Sequence, residues 1–301
     1  MAISRSQLVK ELEPGLNALF GLEYKRYENE HEQIFDKETS DRAFEEEVML
    51  SGFGNAAVKA EGSGVSYDQA QETFTARYTH NTIALAFAIT EEAIEDNLYD
   101  RLASRYTKAL ARSMANTKQV YAANVLNNAF NTTYLGGDGV ALCSTSHPTL
   151  AGTFSNTLAT AADLNETSLE QALIDIAAFT DERGLKIAAQ GLKLIIPSAL
   201  QFTADRLMKS AGRVGTSDND INAIKDMGMV PQGYTVNHFL TDSDAFFIKT
   251  DAPNGLKHFE RAPIKTSMEG DFETGNVRYK ARERYSFGWS DPRGIYGTAG
   301  A

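Results

Sequence analysis

TEEAIEDNLYDRLASRYTKALARSMANTKQVYAANVL, residues 90–126, is the stretch whose reading decides the architecture. Thr90 stands where a helix cap is needed, and Glu91 and Glu92 complement the positive end of the dipole in the first turn. Leu98, Leu102, Tyr106, Leu110, Met114, Tyr121 and Leu126 then form a winding apolar stripe at helical spacing. Ala103, Ala109, Ala111, Ala115, Ala122 and Ala123 keep another face thin enough for close packing. No proline or glycine interrupts the run before Gly136–Gly137. Roughly 40 residues at a rise of about 1.5 Å make a rod of about 60 Å, against a usual helix of about 11–12 residues. The stripe drifts and keeps no strict heptad, which predicts a helix backed by a sheet rather than a coiled coil.

Upstream, Ala43 to Ile89 reads as two strand-like runs around a turn. The tip is Lys59-Ala-Glu-Gly-Ser-Gly64, whose glycines permit a reversal. The returning limb ends in Ile83, Leu85, Phe87 and Ile89 alternating with Ala84, Ala86 and Ala88, a strand with one bulky and one flat face. Nearer the tip the limbs are polar (Glu45, Glu46 and Glu47; Gln69, Gln71, Glu72, Thr73 and Arg77). An apolar root with a polar tip projects from its domain, and an isolated hairpin is marginal in water, so this one is expected to rest on a partner. Ser4 to Phe20 carries Leu8, Leu12, Leu16 and Leu19 and predicts a short amphipathic helix broken at Pro14–Gly15. Gly21 to Arg42 is densely charged without an apolar stripe, as in an extended arm lying on another surface.

Downstream, Gly136 to Asn165 is loop-rich. Ser168 with Gln171 predicts a capped helix ending at Gly184. Leu192–Ile196 reads as a buried strand, and Ser198 with Gln201 as the start of a helix running to Met208. This alternation is α/β-like. Gly212 to Asp220 is a polar loop. Strands are expected at Gly233–Phe239, Ala245–Lys249, Leu256–Arg261 and Asn276–Trp289. The last has Val277, Tyr279, Ala281, Tyr285, Phe287 and Trp289 on one face, interrupted by Glu283, and Arg278, Lys280, Arg282 and Arg284 on the other.

The chain has 301 residues, 40 acidic against 29 basic, a formal net charge of −11 and a single cysteine, Cys143. The lone cysteine excludes an intrachain disulfide framework and multi-cysteine metal sites. No run approaches the ~18 apolar residues of a membrane span, and the charged N-terminus does not read as a signal peptide, so the expected setting is a cytoplasm. The acidic balance argues against wrapping nucleic acid over the whole surface.

The chemistry-bearing residues read as structural. Cys143 and His147 are near in sequence, but a nucleophile needs an oriented base and an electropositive pocket, and Pro148 marks an ordinary loop. His31 sits among Glu28, Glu30 and Glu32 with no second histidine nearby, as on a solvated arm. Gly62-Ser-Gly64 lies between strands and Gly136-Gly-Asp-Gly139 lacks a following Lys-Ser/Thr, so neither cradles a phosphate. The row Arg278, Lys280, Arg282 and Arg284 has its aromatics on the opposite face, which favours ion pairing between elements or subunits over base reading. The expectation is a non-enzyme without cofactor or metal.

The order arm, hairpin, long helix, α/β lobe and terminal long strand resembles tailed-bacteriophage major capsid proteins of the Hong Kong 97-type fold, in the branch that includes Mu-type major head subunits. Ala141-Leu-Cys-Ser-Thr-Ser-His-Pro148, Leu194-Ile-Ile-Pro-Ser-Ala-Leu-Gln-Phe-Thr-Ala204, Phe239-Leu-Thr-Asp-Ser-Asp-Ala-Phe-Phe247 and Asp291-Pro-Arg-Gly-Ile-Tyr296 carry the similarity. The resemblance implies an α+β fold with an N-arm (1–42), an extended hairpin loop lying on a neighbouring subunit (43–89), a peripheral domain with a spine helix (90–139), an axial α/β domain (140–262) and return strands to the peripheral domain (263–301). It implies a homo-oligomeric icosahedral shell of pentamers and hexamers, assembled in the bacterial host cytoplasm and enclosing double-stranded DNA. Lys59, Glu61, Arg77, Arg278, Lys280, Arg282 and Arg284 become candidates for inter-subunit contact. Implied partners are a separate scaffolding protein, a portal and a decoration protein, with the packaged DNA contacted only weakly and no membrane. No asparagine partner for a Lys59 crosslink can be matched. An enzyme, a monomeric binding module and an encapsulin-type nanocompartment are the competing readings.

Overall fold

The computed structural model describes residues 5–90, 92, 99–213, 220–271 and 275–301. In chain order it places α1 (Arg5–Tyr24), β1 (Asp36–Thr39), β2 (Phe44–Leu50), β3 (Glu72–Thr79), β4 (Asn81–Ile89) and α2 (Tyr99–Asn127). There follow β5 (His147–Thr149), β6 (Gly152–Phe154), α3 (Glu166–Ala177), β7 (Gly191–Ile196), α4 (Gln201–Lys209) and α5 (Ala223–Asp226). The last elements are β8 (Tyr234–Val236), β9 (Phe246–Thr250), β10 (Leu256–Gly270), β11 (Val277–Trp289) and β12 (Ile295–Thr298).

One sheet has the order β1-β10-β11-β4, with β1 parallel to β10 and the other pairs antiparallel. The expected alternation of β11 is realised. Tyr279, Ala281, Glu283 and Tyr285 are buried, and Arg278, Lys280 and Arg282 are exposed. Helices α1 and α2 cover the buried face through Leu16, Phe20, Ala103, Leu110, Ala111 and Met114, packed against Ile89, Tyr279 and Ala281. The helix is therefore backed by a sheet, and its described 29 residues extend about 43 Å. The inward side differs from the bulky stripe. Ala103, Ala111, Ala122 and Ala123 are buried, whereas Tyr106 and Tyr121 are 50 % and 40 % exposed. Alanines let the helix backbone approach the sheet closely, and the tyrosines lie along the rim. Glu91 and Leu98 lie outside the described residues.

A second, mixed sheet has the order β12-β9-β7-β8. Leu194 and Ile196 of β7 enter a core with α3 and α4, while Ile195 enters another core with Ala122 and Leu126. Strand β7 is thus buried on both faces over Leu194–Ile196, the apolar end of the strand. The second core joins the two sheets and also takes in Ile34, Phe35, Leu142 and Cys143.

Several local expectations are corrected. Helix α1 runs unbroken through Pro14 to Tyr24, because burial of Leu16 and Phe20 on α2 outweighs the hydrogen bond that Pro14 cannot donate. The charged segment after it lies on its own chain. A 3-10 turn at Glu30–Gln33 drops Ile34 and Phe35 into the junction core, and β1 adds to β10. Helix α3 is capped by Asn165, with Ser168 as its reciprocal partner in a capping box, and it ends at Ala178. Gly184 instead supplies the positive φ of a tight turn after Asp181. Ser198 opens a 3-10 turn without a side-chain cap before α4. Strand β10 continues past Arg261 to Gly270, with register shifts between Glu260 and Lys265, where Pro263 has no N–H for the ladder. Most of the loop 212–220 lies outside the described residues.

Candidate assembly surfaces

Strands β2 and β3 pair from Phe44↔Thr79 to Leu50↔Glu72, forming a hairpin separate from the main sheets. At His80 the returning limb changes sheet. Its ring nitrogens meet Ser286 Oγ and Ser40 Oγ, each at 3.0 Å. The root is held tightly. Tyr78 packs edge-on against Phe259 with centroids 4.7 Å apart, and its Oη lies 2.5 Å from Ser290 Oγ. A Cβ on Gly288 would meet the Tyr78 ring at 2.8 Å, and one on Gly137 the Thr75 carbonyl at 2.6 Å. Lys257, buried, donates to Glu38 at 2.9 Å and also to Glu47. Burial opposes its charge, but the two carboxylates outweigh burial and raise its pKa. One ammonium thereby ties β1, β2 and β10 together.

Beyond Ser51, which exchanges two 2.9 Å hydrogen bonds with Gln71, the hairpin opens into a projecting tip. Every residue from 55 to 72 is exposed. The reversal is an Ala60–Ser63 turn with Gly62 at φ +76°. Lys59 and Glu61 stand at this tip. Val58, Val65 and Tyr67 are 100 %, 63 % and 93 % exposed. The limb is braced by Asp68, which accepts from Gly54 N at 2.8 Å and Arg183 Nη2 at 2.7 Å. The backbone donors Gly54 and Gln69 hold its carboxyl below the usual range. Arg77 is engaged within its own hairpin, over the Phe44 ring at 3.9 Å and 3.7 Å from Glu46.

The exposed face of the main sheet is the second surface. Arg278, Lys280 and Arg282 pair in register with Ala88, Ala86 and Ala84 of β4 and with Glu269, Ser267 and Lys265 of β10. The three alanines are exposed, so a cationic row runs beside a smooth strip. Arg278 pairs with Asp271 at 2.5 Å. Lys280 and Arg282 have no ion-pair partner among the described residues. Arg284 is half-buried, and its Nε lacks a hydrogen-bond partner.

The chemistry-bearing residues are taken up in packing. Cys143 is buried in the junction core, and burial pushes its thiol pKa far up. His147 directs Nδ1 to Asp138 at 2.5 Å and Nε2 to Asn156 at 3.2 Å, so neither nitrogen is left to activate a thiol. His31 stacks edge-on with His258 (5.4 Å) and bonds Gln119 at 3.1 Å. Sequence reading had no signal for these partners, which are distant or lie on other elements.

The family described as phage capsid protein matches residues 72–298. None of the curated proteins compared with the chain matches it in sequence. Among solved structures, the capsid of cyanophage P-SCSP1u is similar at TM-score 0.56 and 12 % identity, over 89 % of this chain and 86 % of that one. The capsid of an empty GTA particle is similar at TM-score 0.51 and 17 % identity, over 91 % and 90 %. A virus-like particle from Pyrococcus furiosus is similar at TM-score 0.51 and 10 % identity, over 94 % and 97 %. At these identities the likeness is one of fold.

Proposed function

The chain belongs to the phage capsid protein family, and on that premise we propose how it builds an icosahedral head shell as the major capsid subunit. The hairpin loop within residues 43–89 lies on a neighbouring copy, its tip, with Lys59 and Glu61, reaching the exposed sheet face of Lys280, Arg282 and the Ala84–Ala88 strip. Arg278 and Arg284 flank that row, and Arg77 stiffens the hairpin that reaches it. The lobe of residues 140–262 gathers around the pentamer and hexamer axes. The spine helix in 90–139, the return strands in 263–301 and the arm in 1–42 form the stiff peripheral tile. Scaffolding, portal and decoration proteins are its partners during assembly in a bacterial cytoplasm.

The observation that carries this reading is the unbroken exposure of residues 55–72 on a hairpin whose root is immobilised. From Ser51 to Ala60 the limb can span about 33 Å, far enough to cross a neighbour's sheet. Such contacts are individually weak. Repeated around a closed lattice, each contact raises the effective concentration of the next, and the shell becomes stable without disulfides.

Val58→Cys, paired in turn with Ala84→Cys, Ala86→Cys or Ala88→Cys, tests the contact, since the native Cys143 is buried. Mild oxidation of shells is expected to give a ladder of covalent oligomers on a non-reducing gel with at least one pair. Shells that form normally yet give no ladder with any pair would contradict the assignment.

A further inference from the structure

The opposite broad face of the peripheral tile carries a second cationic feature. Between α1 and α2 runs a groove of about 540 Å³, lined by Arg26, Arg105, Lys108 and Arg112 with Glu23 as its one carboxylate. Four cations against one anion is a local excess of three in a chain whose net charge is −11. Arg105, Lys108 and Arg112 fall at i, i+3 and i+7, so they share one face of α2, with successive rises of about 4.5 and 6 Å. Arg105 and Lys108 have no ion-pair partner among the described residues. Glu23, largely buried, holds Arg26 at 3.3 Å and Arg112 at 3.8 Å. Tyr27 sits beneath both guanidinium groups, 5.8 and 5.7 Å from its ring, and accepts from Arg112 Nη2 at 3.2 Å. The two arginines are thereby positioned at the groove while their side chains stay 60 % and 62 % exposed.

The geometry points to this groove as a site for the phosphate backbone of the enclosed nucleic acid, which makes the helical face the lumenal face of the tile. The inference rests on the capsid reading only for the polyanion's presence. Three of the four cations are arginines, whose forked donors match phosphate oxygens. The groove lining offers none of the buried aromatic or aliphatic anchors that protein interfaces use. With a net of three phosphates neutralised, log K should fall with log salt at a slope of about −2.7, a loss of roughly 40-fold between 50 and 200 mM salt. That is a weak, sequence-independent grip, compatible with an acidic wall that lets DNA enter and leave.

The test uses the full chain at a concentration where light scattering shows it unassembled, with a fluorescent duplex of mixed sequence read by anisotropy. Three proteins are compared: the native chain, R105Q/K108Q/R112Q, and R278Q/K280Q/R282Q as a control on the opposite face. The native chain and the control are expected to bind alike. The groove variant should lose at least about 40-fold in affinity at 50 mM salt, and its slope should flatten toward zero, while its circular dichroism stays native. If it misfolds, Lys108→Glu alone replaces it, with a loss of at least tenfold expected. Native-like binding by the groove variant, or a loss confined to the sheet-face control, overturns the inference. So does a native chain that ignores the duplex, including one that holds a polyglutamate peptide, which would assign the groove to an acidic protein segment. Shell formation by electron microscopy is read separately and for the native chain: shells without duplex binding refute the groove alone, and duplex binding without shells refutes the capsid reading.

Discussion

Replacing Lys118 with methionine removes one ammonium from the packed junction of α1, α2 and β11 while keeping most of its stem. The partner left behind is Glu283, whose side chain is 1 % exposed and 3.5 Å from Lys118 Nζ. Burial pushes the Glu283 carboxyl up, and the charge of Lys118 is the chief influence opposing that rise. Tyr24 Oη also donates to Glu283 Oε2 at 3.1 Å, but Oε1 has no hydrogen-bond partner. Removing one member of a buried pair costs about 3–5 kcal/mol. With Tyr24 still in place the lower end is expected, about 3 kcal/mol. The double variant Lys118→Met/Glu283→Leu should lie within about 1 kcal/mol of the native chain, giving a coupling of at least about 2 kcal/mol. Urea unfolding followed by the fluorescence of Trp289, the only tryptophan, reads this directly. At about 3 kcal/mol per molar urea, the single variant's midpoint should drop by about 1 M. A drop below about 0.2 M with no coupling in the double variant would refute the claim that this pair fastens α1, α2 and β11 together.

Three further outcomes follow from the packing. Gly294→Ala drives a Cβ into the Gly255 backbone and should cost about 3 kcal/mol; Gly64→Ala, in open space, should leave the urea midpoint unchanged, and equal effects would contradict the close approach. His258, stacked on Phe287 at 4.3 Å, has its pKa pushed down to about 2 by burial, with smaller contributions from Lys118 and His31. Its unfolded counterpart takes up a proton below about pH 6.5, so the native chain should lose stability on acidification by about 1.4 kcal/mol per pH unit more than His258→Phe; parallel stability profiles between pH 6.5 and 5 would count against a neutral buried imidazole. Cys143 should react with a thiol reagent only after denaturation, because burial raises its pKa and excludes the reagent; stoichiometric labelling of the folded chain would show the junction core to be open.

The elements legible in the sequence were those whose signal is a local period. The alternation of β11 and the unbroken run of α2 fixed a helix on a sheet, and the glycines at 62 and 64 marked the projecting tip. The features missed depend on distant partners. Nothing in the charged run from Gly21 to Arg42 indicates that Ile34 and Phe35 drop into a core shared with Ala122 and Ile195, or that β1 lies parallel to β10. Helix α1 survives Pro14 because tertiary burial outweighs local propensity. Asn165 rather than Ser168 caps α3 because the two residues trade places in a reciprocal box, a distinction that spacing alone does not make. Of the residues proposed for inter-subunit contact, Lys59, Glu61, Lys280 and Arg282 are exposed and have no ion-pair partner among the described residues. Arg77 looks the same in sequence but lies against Phe44 and Glu46. The groove residues Arg26, Arg105, Lys108 and Arg112 come together only when α1 folds back along α2.

The central claim is that the hairpin tip joins neighbouring copies into a shell. Negative-stain electron microscopy of the purified chain beside a variant lacking Ala57–Gln69 tests it most directly. The intact chain is expected to form closed icosahedral shells, and the deletion, with its root contacts at Tyr78 and Lys257 intact, a soluble protein that forms none. Normal shells from the deletion variant would contradict the account.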